Sequence, residues 1–162
     1  MSEAADTLIA RMVEAERRLA HHAVGPIPTG RTEPDPGAEE RWEAGQVWAH
    51  VAEFPAFWLD QVRRVVALPT HEPVPFGRVK TDPRRIEAIE RDRHTDPQAL
   101  LGRVRASLAD VSETLRGLPD QAWRRRGVHP TLGEMTVERI VERFIVGHLE
   151  EHADQLDGLA SG

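Results

Sequence analysis

The sequence predicts an all-α protein built as a four-helix bundle. Three observations predict it. Four stretches repeat apolar residues at spacings of three and four, the period of an amphipathic helix. Three clusters rich in proline and glycine separate those stretches. No stretch shows the strong alternation of a half-buried strand. Four helices with one apolar face each can bury those faces only against one another.

The first helix is predicted over 4–22, where Ala5, Leu8, Met12, Ala15 and Leu19 form one stripe. His21 and His22 close it, where positive charge suits the helix dipole. The run GPIPTGRTEPDPG at 25–37 reads as a loop. The second helix is predicted over 40–66 from Val47, Val51, Phe54, Trp58, Gln61 and Val65, with Trp42 at its start. Pro55 lies inside it and clashes with the carbonyl of Val51, so a kink is expected near 51–55.

A second loop cluster spans 68–83, and a short helical piece is expected from Pro83 to Arg93. The third long helix is predicted over 97–116. Asp96 and Pro97 supply its N-cap and first position, and Leu101, Val104, Leu108, Val111, Leu115 and Leu118 supply its stripe. Gly117 and Pro119 stop it, and 117–130 reads as loop. The fourth helix is predicted over 136–158. Thr136 caps it, Val137, Val141, Phe144, His148, His152, Gln155 and Leu159 face inward, and Gly158 is the expected terminator. The connections, at roughly 15–30 residues, are long for a bundle, which points to an unusual topology or to loops that build a site.

The chain has 162 residues and a mass of 18.2 kDa, so one domain over 1–162 is expected. With 40% apolar and 30% charged residues it has a globular and not a disordered composition. A net charge of −6 argues against a general nucleic-acid-binding surface. No apolar run reaches the ~18 residues of a membrane span. The charged N-terminus has no apolar signal core, so a cytoplasmic location is expected. Cysteine is absent. That excludes a disulfide scaffold, a cysteine-ligated zinc, an iron–sulfur cluster and a cysteine nucleophile. Any metal must be held by His, Asp or Glu.

His148 and His152 are four apart and therefore share one helix face. They continue the inward stripe of Val137, Val141 and Phe144. Two buried imidazoles without partners cost free energy, and a shared divalent ion removes that cost. His50, beside Val47, Val51 and Phe54, is the best third ligand from another helix. The segment from His148 to His152 also matches H-x-x-E-H, the inverted zinc-protease pattern. Only ten residues follow His152, too few for the further ligand that class needs. Glu150 and Glu151 read first as a solvated face, with Glu151 close enough to His148 to act on a metal-bound ligand. His129, before Pro130, could line the mouth of a site. His71 and His94 fall in loops. Trp42, Trp48, Trp58 and Trp123 read as core, and Arg124–Arg126 as a solvated basic run. No nucleotide-binding glycine pattern or serine triad is visible.

The segment from Trp42 to His50 (W-x-x-G-Q-V-W-A-H) resembles the helix-two signature of the DinB-like superfamily. The run H-P-T-L-G-E-M-T at 129–136, followed by His148, His152, Gln155 and Leu156, resembles its helix-four signature. The superfamily includes YfiT-type proteins and mycothiol-dependent maleylpyruvate isomerases. The resemblance implies a four-helix bundle with long crossover connections and a divalent metal, zinc or nickel, on His50, His148 and His152. It also implies a homodimer. Many members carry Asp directly after the first histidine of the pair, where this chain has Leu149.

The expected activity is metal-dependent chemistry on a small electrophile, with a low-molecular-weight thiol of the mycothiol or bacillithiol type as co-substrate. The ligands are His50, His148 and His152, and Glu151 or His129 moves protons. Two alternatives stay open: a metal-dependent hydrolase, and a non-catalytic, stress-related metal-binding or interaction protein.

Overall fold

The computed structural model describes residues 2–34 and 39–162. Positions 35–38, which include the end of the first expected loop, lie outside the described residues. Helix α1 spans Glu3–Ala23 and is capped by the Ser2 hydroxyl, which accepts from Ala5 N. All five residues of its expected stripe are buried. Helix α2 spans Ala44–Ala67 and continues through Pro55. It starts four residues later than expected. The chain before it is held by a reciprocal pair: Thr32 N donates to the Trp42 carbonyl at 2.8 Å, and Trp42 N donates to Thr32 Oγ1 at 2.9 Å. Trp42 is thereby buried in a loop.

Strand β1 (Val74–Pro75) and helix α3 (Pro83–Asp92) follow, then α4 (Pro97–Gly117). Asp82 and Asp96 cap α3 and α4 through the backbone N–H of Arg84 and Gln98, each with proline at the helix start. A single turn, α5 (Asp120–Trp123), leads to β2 (Arg126–His129) and β3 (Gly133–Thr136). The last long helix is continuous but not uniform. It runs as α6 (Val137–Val141), a π-helical turn (Glu142–Val146) and α7 (Gly147–Ser161).

Helix α1 packs on α4 and α7, and α2 packs on the same two helices. The sequential pair α1 and α2 therefore occupies opposite corners of the bundle, and its connection must cross an end. The length of the connections follows from that topology, and the connection between α2 and α4 also builds part of the site. One buried apolar cluster runs through all four long helices, with Val47, Val51, Phe54, Val104, Val111, Ile140 and Leu156 fully enclosed.

Two expectations need correction. A small sheet exists where only loops were expected, in the order β1-β2-β3, with β1 parallel and β3 antiparallel to β2. Its strands are two to four residues long, too short to print an alternation on the sequence. Gly158 does not end the last helix, which runs to Ser161. A helical glycine costs only about 1 kcal/mol, and buried Leu156 and Leu159 on either side hold the backbone in register. In the basic run, Arg124 and Arg126 are exposed, as read from the sequence, with Arg125 donating to the Leu68 carbonyl and Arg126 to Glu134.

Candidate metal centre

The site lies between α2 and α7, which supply His50 from one side and His148 and His152 from the other. One ring nitrogen from each histidine falls within 4.8 Å of the other two. The Nε2 atoms of His50 and His148 are 3.1 Å apart. His50 and His152 are buried and His148 is half-buried. Burial holds the pKa of both His50 and His148 well below the ordinary imidazole value. The neighbouring rings and the charges of Arg78 and Arg85 push in the same direction. Neutral imidazole is the form that ligates a metal.

Aromatic rings fix the three imidazoles in place. Phe54 stacks on His148 with centroids 4.2 Å apart, and Trp42 stacks on His152 at 5.9 Å. Trp42 also meets His50 edge-on at 5.2 Å. The loop tryptophan read from the sequence as core is therefore a wall of this cluster.

Two polar partners orient the rings from behind. His152 Nδ1 lies 2.7 Å from Gln155 Oε1, so Nδ1 carries the hydrogen and Nε2 carries the lone pair. His50 Nδ1 lies 3.1 Å from Glu53 Oε2, at ion-pair distance but without hydrogen-bond alignment. Glu53 is in turn gripped by Arg78, whose Nη2 sits 2.6 Å from Oε1 and 2.7 Å from Oε2. Burial pushes the Glu53 pKa up and Arg78 pulls it down, with burial prevailing. Arg78 also rests on the Phe57 ring at 4.0 Å. Sequence reasoning assigned no role to Glu53 or Arg78. The repeated spacing could have found Glu53, because Glu53 follows His50 by three residues as Gln155 follows His152.

The triad opens onto a cleft of about 940 Å3. Its lining includes both proposed proton-transfer residues, Glu151 and His129. Glu151 is exposed on α7. His129 is buried on β2, against Phe144 at 5.2 Å. Its Nδ1 accepts from the backbone N–H of Thr131 at 3.2 Å and of Leu132 at 3.3 Å. Burial lowers the His129 pKa, outweighing the opposing effect of the Arg78 backbone. Gly77 makes this approach possible. Its φ is +91°, and a Cβ there would lie 2.6 Å from His129 Cδ2.

The remaining candidates lie apart from the triad. His22 pairs with Asp157 at 2.6 Å between α1 and α7, and His94 lines a separate, smaller cleft. Leu149, the position of the family's Asp, is fully buried in the core and faces away from solvent.

Three imidazoles that converge, with no fourth ligating side chain grouped with them among the described residues, fit one divalent ion with an open coordination position. The donor set is all nitrogen, and the Gln155 contact on Nδ1 leaves Nε2 of His152 as its ligating atom. Fold and site together define a four-helix bundle with a buried, cleft-facing histidine triad of metal-binding type. Residues 12–156 match the DinB superfamily, and the chain belongs to that superfamily.

No curated protein matches the sequence. Solved structures with the same fold include YfiT from Bacillus subtilis, described as a probable metal-dependent hydrolase with an unusual four-helix bundle topology. It shares 21% identity and a TM-score of 0.74, with 99% of this chain and 89% of YfiT covered. A mycothiol-dependent maleylpyruvate isomerase matches at 14% identity and TM-score 0.69, over 96% of this chain. The match spans 63% of that protein's length. An uncharacterised protein from Clostridium difficile 630 matches at 10% identity and TM-score 0.68, with 99% and 98% covered. At these identities the likeness establishes the fold. No helix among the described residues is long and apolar enough to cross a membrane.

Proposed function

We propose that this protein is a divalent-metal-dependent enzyme that joins a low-molecular-weight thiol to a small electrophile, or uses that thiol to isomerise one. The observation that carries the reading is the convergence of His50, His148 and His152 at the cleft, with a place left for a small ligand. A divalent ion held there supplies a nucleophile at neutral pH by acidifying a bound thiol or water. Zinc and nickel both suit an all-imidazole site.

The chain itself contains no cysteine, so the thiol must arrive as a co-substrate of the mycothiol or bacillithiol type. Glu151, on the cleft side of α7, is proposed to move the proton released when the thiol ionises. His129 is proposed as a positioning residue instead of a proton carrier. Its Nδ1 is occupied by two backbone donors, and its ring packs against the backbone at Gly77, the residue before Arg78. Arg78 then holds Glu53 behind His50.

The first test is elemental mass spectrometry on tag-free protein and on His148→Ala. About one divalent ion per chain in the parent and loss in the variant is expected. No ion in either, even after reconstitution with zinc and nickel, overturns the reading. The second test is the visible spectrum of the cobalt-substituted protein during titration with mycothiol. A new thiolate-to-metal band is expected. The second reading, a hydrolase, rests on the likeness to YfiT. A cobalt spectrum that responds to pH but not to thiol would favour it.

A further inference from the structure

Among the described residues, one arginine of the cleft has no carboxylate at ion-pair distance. Arg85 is taken by Glu40, Arg78 by Glu53, and Arg11 and Arg139 by Glu142. Asp154 is taken by Arg18. Arg143 lines the same cleft, and among the described residues no carboxylate lies within salt-bridge distance of it. Its one close partner is the face of Phe144, 5.9 Å away. Its charge reaches into the cleft far enough to help lower the His129 pKa.

The π-helical turn explains why Arg143 is there. In an α-helix, residues five apart point in different directions. Here the Gly147 N–H closes onto the Glu142 carbonyl five residues back. That closure stacks residue 143 one turn above residue 148. Arg143, His148 and His152 consequently share the cleft side of one continuous helix. The cleft that Arg143 shares with the histidines also has apolar and aromatic lining. Phe144 and Trp58 stack at 4.2 Å, and exposed Val79 and Leu132 line the same cleft.

We propose that Arg143 is a specificity-determining residue that anchors a carboxylate on the electrophilic substrate, whose apolar body lies on Phe144 and Trp58 with its reacting end at the triad. This deepens the thiol-transfer reading and rests on it for the reaction, though not for the binding. In that reaction the thiolate sulfur forms a bond to the electrophilic carbon. The bond from carbon to the leaving group breaks, and the leaving group departs with the electron pair. The thiol proton passes to Glu151. Arg143 takes no part in these bond changes and acts only on where the substrate sits.

The test uses the zinc-loaded protein with Arg143→Gln and Arg143→Lys. Calorimetry measures binding of 4-methylbenzoate and of its uncharged match, 4-methylbenzamide. One charge-assisted contact predicts about a tenfold preference for the acid. The preference should fall to near unity in Arg143→Gln and be partly kept in Arg143→Lys. Equal binding of acid and amide by the parent protein overturns the proposal. So does a preference that survives in Arg143→Gln, which would place the carboxylate on the metal or another cation. The turnover arm uses 4-(chloromethyl)benzoate and 4-(chloromethyl)benzamide with 2-mercaptoethanol, chloride leaving in each case. Arg143→Gln should raise KM for the acid about tenfold, leave kcat, and leave the amide unaffected. An equal loss on both substrates would mark a structural role and overturn the proposal. If the acid binds through Arg143 and neither compound turns over, the thiol-transfer reading fails while the anchor stands.

Discussion

A single guanidinium nitrogen of Arg78 reaches both carboxylate oxygens of Glu53, at 2.6 and 2.7 Å, directly behind the imidazole of His50. Both side chains are under 10% exposed. A loop residue is thus tied to a helix residue at the back of the candidate metal centre, so any disturbance of that loop reaches the centre through one ion pair.

Removing only one member of this pair leaves a buried charge, which costs about 3–5 kcal/mol. Arg78→Met is therefore expected to lower stability by about that much. The double variant Arg78→Met/Glu53→Gln should recover most of it. Urea denaturation of the four proteins in the cycle measures the coupling. A double variant no more stable than Arg78→Met alone would show that the two residues are independent.

Metal should stabilise the fold because the three ligands converge only in the native state. At a free zinc concentration 100 times the dissociation constant, linkage gives about 2.7 kcal/mol. For a chain of this size that corresponds to a rise in Tm of roughly 5–10 °C. His152→Ala should abolish the rise. Scanning calorimetry with and without zinc reads it directly, and an unchanged rise in the variant would remove His152 from the ligand set.

Gly147 should reverse the usual helix rule. In an ordinary helix, glycine to alanine gains about 1 kcal/mol. At this position a Cβ would lie 2.9 Å from the Glu142 carbonyl oxygen, in the closure of the π-helical turn. Gly147→Ala is expected to destabilise, by about 1–3 kcal/mol. Exposed Gly102 on α4, where a Cβ meets nothing within 4 Å, is the control and should show the ordinary gain.

Asp92 sets part of the acid sensitivity. Burial raises its pKa, but hydrogen bonds from Arg91 and Arg103 outweigh burial and bring it below the ordinary value of 3.8. A carboxylate whose folded pKa is depressed adds stability that is present above its unfolded pKa. That stability is lost as pH falls through the folded value. Asp92→Asn should therefore lose less stability than the parent between pH 5 and pH 2. Denaturation midpoints across that range give the comparison, and parallel curves would exclude the ion pair as a contributor.

The bundle was legible because its signals are local and periodic. The stripe of α4 from Leu101 to Leu115 and the capping pair at Asp96 and Pro97 sit where the spacing puts them. The triad was legible for the same reason, since His148 and His152 extend an apolar face and His50 lies on one. The features that escaped depend on contacts between distant segments. Arg78 acquires its role only when the loop after β1 folds over Glu53. The β2–β3 hairpin is stabilised by pairing and by Gly127, whose absent side chain admits Phe76. The π-helical turn leaves no signature in the run from Glu142 to Val146, because it adds a residue without changing which residue types are buried.

The corner placement of α1 and α2 has a consequence for assembly in time. His50 and His148 touch across 98 residues of sequence, and the helix that contacts both α1 and α2 on that side follows the other three long helices in the chain. Non-local contacts of this kind form late, after the entropy of closing the intervening chain has been met. The earlier helices can collapse with His50 already in place, but no ion can be captured until α7 docks. Acquisition of metal during refolding should follow the slowest folding phase and never precede it.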